Sequence, residues 1–322
     1  MPEKALISVV ITAYNRREYL FEAVKSALSQ TLSREFYEII VIKNFRDDHI
    51  DNFLIQNDVK SVIADGVEGM FPYIALNLLK GDIISFLDDD DLFKMNKLEL
   101  VSQIFTDAGI GYYHNSAEII SNEGITGNKV IGAELSGGLK ISNDSKSKYI
   151  YPIDKKMLYV NNSCVSIRRS IIEPKSEFLK SQTANIDRFF YVTALLSNLS
   201  LYFDDRTLTF YRIHRAQTGA LILNDFNALV SKKLEFITKS IDASNNLLRM
   251  TSNTALEAYG LIRIINLKLS YNFWSNENKF SISFTNLIFY IKNRDFIEIP
   301  LFIFYKTPRF IHKALIRFIY NL

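Results

Sequence analysis

Four consecutive aspartates, Asp88, Asp89, Asp90 and Asp91, follow a run, 83–87, that is apolar except for Ser85. Adjacent carboxylates repel one another, so a purely structural role for the whole run is hard to defend. Side chains alternate along extended backbone, so Asp88 and Asp90 should point the same way. Hard oxygen donors in that arrangement suit Mg²⁺ or Mn²⁺, which keep waters and share their shell with substrate phosphates. The bland alternative is a solvated acidic turn, with Asp91 capping the next helix. Asp187 is a second acid of interest, because it opens an apolar helical pattern.

The elements around these residues alternate strand and helix. Residues 6–11 and 39–42 are short β-branched runs, each reading as a buried parallel strand. Between them Leu20, Ala23, Val24, Ala27 and Leu28 mark one face of a helix. Asn15 and Glu18 stand at capping-box spacing before it. A short strand at 61–64, a helix at 70–79, a strand at 83–87 and a helix at 92–105 continue the pattern. Such an α/β sheet binds ligands beyond the carboxyl ends of its strands. That singles out Thr12, Ala13, Tyr14 and Asn15, then 44–48, 65–68 and 88–91.

Three blocks together carry a resemblance. They are Ser8-Val9-Val10-Ile11-Thr12-Ala13-Tyr14-Asn15-Arg16, Glu38-Ile39-Ile40-Val41-Ile42, and residues 80–91 from Lys80-Gly81-Asp82 to the aspartates. In this order they resemble glycosyltransferase family 2 over about the first 115 residues. The resemblance implies a GT-A fold: a Rossmann-like, mostly parallel sheet flanked by helices. It also implies a nucleotide-sugar donor, UDP- or GDP-linked, and inversion at the anomeric carbon. Thr12, Ala13, Tyr14 and Asn15 would then hold base and ribose, with Tyr14 alternatively a core aromatic. Asp88 would lie by the ribose and also reach the metal, Asp89 would face the donor, and Asp90 would bind the metal. Two departures stand out. Asn44 replaces the acid that accepts the uracil N3–H, and Phe71-Pro72-Tyr73 replaces an Ala-Arg-Asn block. Asp65 and Gly66 remain as a donor contact or an ordinary turn.

Further along, 161–170 resembles the acceptor-side strand of the family, with Cys164 as a small buried residue in it. Asp187 matches the family's general base, with Ile186 in place of the usual second acid and Asn198 about eleven residues on. A plain helix N-terminal acid is the alternative. Leu208-Thr209-Phe210-Tyr211-Arg212-Ile213-His214 resembles the closing strand. There His214 would complete the metal shell or simply follow an edge strand. Arg212 would offset phosphate charge or pair with an acid. The polar stretch 121–148 reads as a long loop or irregular hairpin, a lid or a plain insertion.

The expected organisation is a catalytic domain over 1–220, its donor half 1–115 and acceptor half 116–220, then a helical region over 221–322. Helices are expected at 226–248, 255–271 and 280–291. Residues 299–322 hold Lys306, Arg309, His312, Lys313 and Arg317 and no acid, the composition of an interfacial amphipathic helix. This tail would bind an anionic membrane, pack on the catalytic domain or contact a second copy. Membrane binding would suit a lipid-linked acceptor.

Composition sets limits. Lys plus Arg total 38 against 35 Asp plus Glu, a net charge of +3 that argues against a nucleic-acid partner. One cysteine excludes an intramolecular disulfide. No signal-like segment and no apolar run of about 18 residues is visible, so the expected location is cytoplasmic or peripheral on the cytoplasmic membrane face. Two other functions compete: a nucleotidyltransferase, against which stands the lack of glycine in 12–15, and a non-catalytic membrane-surface protein that retains the fold.

Overall fold

The computed structural model describes residues 6–121, 124–131, 137–214, 226–275 and 279–281. The chain divides into two compact units, Met1–Gln217 and Thr218–Leu322. In the first, the donor half runs β1 (Ile7–Ala13), α1 (Leu20–Leu28), β2 (Tyr37–Lys43), α2 (Asp48–Gln56), β3 (Lys60–Ile63), α3 (Met70–Leu76) and β4 (Ile83–Asp88). β1 lies between β2 and β4, parallel to both, and β3 adds beyond β2. Strands covered on both faces need apolar residues at nearly every position. In β1 only Thr12 escapes full burial. Leu20, Ala23, Val24 and Ala27 of α1 close one face of this core.

The Lys80-Gly81-Asp82 block has a steric reason. A Cβ on Gly81 would stand 2.6 Å from the Ser8 nitrogen and 2.7 Å from the Leu6 oxygen. Gly81 also donates its N–H to Ser8 Oγ at 2.9 Å, and Ser8 Oγ donates to Glu38 at 2.8 Å. The buried serine is thereby satisfied where β1, β2 and β4 begin.

The second half of this unit is mixed. It comprises β5 (Leu92–Phe93), α4 (Lys97–Ile104), β6 (Ile110–Ser121), β7 (Gly124–Ile131), β8 (Leu139–Ile141), α5 (Lys146–Lys156), β9 (Val165–Arg168), α6 (Arg169–Ile172), α7 (Ser176–Lys180), α8 (Ile186–Leu196) and β10 (Ser200–Arg212). The sheet order is β3-β2-β1-β4-β9-β6-β10-β5, with β7 on β6 and β8 on β10. β9 enters antiparallel between β4 and β6, while β6 and β10 are parallel.

Several local expectations change. The helix expected at 92–105 starts at Lys97, because Leu92–Phe93 pairs with β10 as an edge strand. Asn15 is not a cap. It adopts φ 57°, and α1 begins only at Leu20 after Tyr19. Cys164 closes a 3-10 turn rather than lying in a strand, and it is fully buried. The 121–148 stretch contains the β6–β7 hairpin, β8 and the start of α5. Lys146, at the first turn of α5, is buried with its ammonium on Ala194 O at 2.9 Å and on Ser197 O. These carbonyls end α8, where a cation complements the helix dipole, while burial pushes the Lys146 pKa down to about 8.

His114 on β6 is buried, its Nε2 3.0 Å from Val160 O. Burial, with Lys97 nearby, holds its pKa down at about 3. The unfolded imidazole protonates near pH 6.5, so below that pH the native state binds fewer protons than the unfolded chain. This group therefore costs up to about 1.4 kcal/mol of stability per pH unit as pH falls toward its folded value. His114→Gln should remove that slope. Urea midpoints of parent and variant should diverge as pH drops from about 6 to about 4; parallel curves would contradict a buried neutral imidazole.

The second unit contains α9 (Phe226–Thr251) and α10 (Glu257–Ser275). They pack through Leu229, Ile237, Ile241, Leu267, Phe273 and Trp274. Among the described residues no helix is long and apolar enough to cross a membrane. The basic tail 299–322, and the 280–291 helix beyond residue 281, lie outside the described residues.

Candidate active site

The carboxyl ends of β1, β2, β3 and β4 lie side by side. Thr12 is in register with Asp88, and Ala13 with Lys43. Ala64 donates its N–H to Lys43 O at 2.9 Å, which brings exposed Asp65 and Gly66 to the same edge. Gly66 has φ 136°, a region that favours glycine. Tyr14 is 53 % exposed and meets Phe71 edge-on, with centroids 5.7 Å apart. It is therefore not a core aromatic. Phe71, which stands where the family block has another residue type, supports it from below.

Asn15 and Asn44 bind each other. Asn15 N–H donates to Asn44 Oδ1 and Asn44 Nδ2 donates to Asn15 Oδ1, both at 2.8 Å. The Asn44 amide thereby ties the β1 and β2 loops together.

The aspartate run does not stay extended. β4 ends at Asp88, and Asp91 N–H turns back to Asp88 O at 3.2 Å. Alternation stops there, so the four carboxylates do not share one orientation. Asp88 takes Asn162 Nδ2 at 3.3 Å. Asp89 is buried and held through both oxygens by Arg16, Nε lying 3.1 Å away. Asp90 takes Arg16 Nη1 at 2.7 Å and His214 Nε2 at 2.9 Å. Asp91 accepts from Arg212 N–H at 2.9 Å, Asn161 Nδ2 at 2.8 Å and Ser163 Oγ at 2.7 Å. It is an anchor of this network, not the cap of a helix, since α4 begins after Asn96.

Crowded acids have the expected electrostatics. Burial raises the Asp88 pKa well above the ordinary value, and Asp91, Asp90 and Asp89 add to it. Burial lifts Asp89 to about 6 against the opposing pull of Arg16. Burial, then the charge of Asp90, raises Asp91 as well. Beneath the run, buried Lys97 is bonded to Ser163 O and to Thr209 Oγ1 at 3.1 Å, and burial brings its pKa down to about 7.

Arg212 pairs with an acid, Glu22. Its Nε donates to Asp90 O at 2.8 Å, its fork holds Glu22 at 2.7 Å, and it lies 4.5 Å over the Tyr19 ring. These contacts fix Arg212 between the aspartate turn and α1. His214 is buried, with its ring 4.9 Å from that of Tyr19, so it is not a surface residue. Asp187 lies in the first turn of α8, accepting from Asn161 N–H at 3.2 Å and from Arg188 N–H at 2.7 Å. Asn161, buried at φ 82°, therefore touches both Asp91 and Asp187. Arg16, Lys97, Asn161 and Ser163 were not singled out from sequence. Arg16 sat inside a quoted block. Asn161 and Ser163 lay in the 161–170 block without a role of their own, and Lys97 had no signal, because turns far apart in sequence bring them together.

The donor atoms can be tested against a divalent cation. Among the described residues no group of three or more His, Cys, Asp or Glu is arranged to hold one. Asp88 is not drawn in with Asp90 and His214. The pair Asp90 and His214 does converge on one point, beside a guanidinium that shows the position accommodates positive charge. Two protein donors with open positions fit an ion that takes waters and diphosphate oxygens as its remaining ligands.

The model of the family "Glycosyl transferase family 2" matches residues 8–174, just over half the chain, and the chain belongs to that family. An uncharacterized glycosyltransferase of Nostoc sp., alr2836, is 27 % identical over 221 residues, 65 % of this chain and 65 % of its own length. WfgD of Escherichia coli, a UDP-Glc:alpha-D-GlcNAc-diphosphoundecaprenol beta-1,3-glucosyltransferase, is 27 % identical over 162 residues, 48 % of this chain and 62 % of its own length. The match thus spans somewhat under two thirds of each of these relatives. The fold is similar to that of S. aureus TarS in complex with UDP, with a TM-score of 0.56 and 14 % identity over 88 % of this chain and 77 % of the other.

Proposed function

We propose that the chain transfers a sugar from a nucleoside-diphosphate sugar to an acceptor hydroxyl with inversion. The observation that supports this is the Asn161 bridge, in which Asn161 bonds Asp187 through its N–H and Asp91 through its Nδ2. Tyr14, Thr12, Ala13, Asp65 and Gly66 receive the nucleotide, with Asp88 on its ribose side. Asp90 and His214 hold Mn²⁺ or Mg²⁺, which when bound neutralises charge on the leaving diphosphate. Asp187 accepts the acceptor hydroxyl proton. The hydroxyl oxygen bonds to the anomeric carbon from the face opposite the diphosphate, and the C–O pair leaves with the nucleotide. Incubation with a panel of UDP- and GDP-sugars should show nucleotide release for one of them, increased by acceptor. No release from any donor would favour the non-catalytic reading.

The acceptor proposed is a lipid-linked sugar. WfgD, whose name specifies a diphosphoundecaprenol acceptor, supports this class. The acid-free basic tail 299–322 would then lie on an anionic membrane, where each Lys or Arg is worth on the order of 1 kcal/mol. Full-length protein should sediment with anionic liposomes at low salt, and a chain ending at residue 307 should not. Equal behaviour of the two would place the tail elsewhere, on the catalytic unit or against a second copy.

A further inference from the structure

Arg16 makes contacts that the transfer chemistry does not use. It follows Asn15, whose left-handed backbone turns the chain away from β1. Its guanidinium takes both Asp89 oxygens, reaches Asp90 Oδ2 at 2.7 Å, and sets the same Nη1 3.3 Å from His214 Nε2. Asp90 Oδ2 and His214 Nε2 are the two atoms the cation reading requires. One side chain therefore sits on both, and it is a permanent cation at any accessible pH.

We propose that Arg16 is the resident counter-ion of this position, and that a divalent cation enters only as Arg16 is drawn onto the incoming diphosphate. This rests on the reading of Asp90 and His214 as cation donors. A dication placed beside an unmoved guanidinium would set like charges in contact, so one must leave. Arg16 is free to be the one, since its side chain is a quarter exposed and belongs to a loop. Its planar fork matches phosphate oxygens as well as carboxylates. Metal and nucleotide then bind as a coupled pair: metal alone must displace Arg16, and nucleotide removes that cost.

Binding of Mn²⁺ alone to the full chain tests this, read from the electron paramagnetic resonance signal of free Mn²⁺, with and without UDP or GDP. Arg16→Met should bind nucleotide-free Mn²⁺ about tenfold or more tightly than the parent, and nucleotide should enhance it less. Arg16→Lys should fall between. Mn²⁺ should also raise the melting temperature of Arg16→Met more than that of the parent, which shows that the variant is folded. If Arg16→Met fails to fold, Arg16→Gln replaces it in the same titration. Equal or weaker Mn²⁺ binding in the variants overturns the role of Arg16 and leaves the cation site standing. No Mn²⁺ binding by any of the proteins, even with nucleotide, removes the cation site and this proposal together.

Discussion

Asp187→Asn is expected to lower turnover by about 10²–10⁴-fold, the usual worth of a positioned general base. The amide keeps the shape of the carboxylate. Its oxygen can still accept from Asn161 N–H or Arg188 N–H, so α8 should begin as it does now. It cannot take a proton from the acceptor hydroxyl. Nucleotide affinity, measured by calorimetry, should stay near that of the parent, because the proposed role of Asp187 is toward the acceptor hydroxyl and not the nucleotide. A variant with unchanged turnover would move the base elsewhere. Asp204 and Asp205 are poor substitutes: Asp204 is already bound by Arg206 and by Tyr113 Oη at 2.7 Å, and Asp205 accepts from Gly137 N–H at 3.0 Å.

Asp90→Ala is expected to abolish the part of nucleotide binding that depends on Mn²⁺. The change removes one of the two donors at the proposed cation position and leaves His214 without its carboxylate partner. Arg16 retains Asp89, so the loop after β1 keeps its anchor. Calorimetry with UDP or GDP, with Mn²⁺ and with a chelator, separates the two contributions. The parent should show a clear difference between these conditions and the variant none. Asp88→Ala makes the comparison sharper. Asp88 is tied to Asn162 and not to His214, so its loss should weaken nucleotide binding with and without metal alike.

The donor half was legible because buried parallel strands leave a plain mark: 6–11, 39–42 and 83–87 are apolar runs, and α1 has a single apolar face. Residues named from the strand ends do gather at one edge. Their individual partners were not legible. The shared orientation of Asp88 and Asp90 assumed an extended chain, whereas a turn begins one residue after Asp88. Arg212 and Asn44 were named for the donor, and their protein partners, Glu22 and Asn15, were not foreseen. Those partners lie far away in sequence and in other elements, where no spacing rule connects them. The short strand β5 was hidden in the same way, since Leu92-Phe93 fits a helix until β10 is there to pair with it.

The Asn161 bridge also bears on how such a chain can change its substrate. The amide is buried, so the separation of Asp187 from Asp91 is set inside the body of the unit rather than by an outer loop. β7 and β8 lie off the main strand order, on β6 and β10, and neither carries the bonds of that link. On the proposed function, exchanging β7 and β8 for segments of another length should leave the Asp187–Asp91 separation unchanged. Those peripheral segments are thus open to rapid divergence, while a change as small as Asn161→Asp, which sets a carboxylate against Asp91, would be tolerated poorly. A library varied at 124–131 and 137–141 should accordingly yield folded proteins that still bind nucleotide and differ in acceptor.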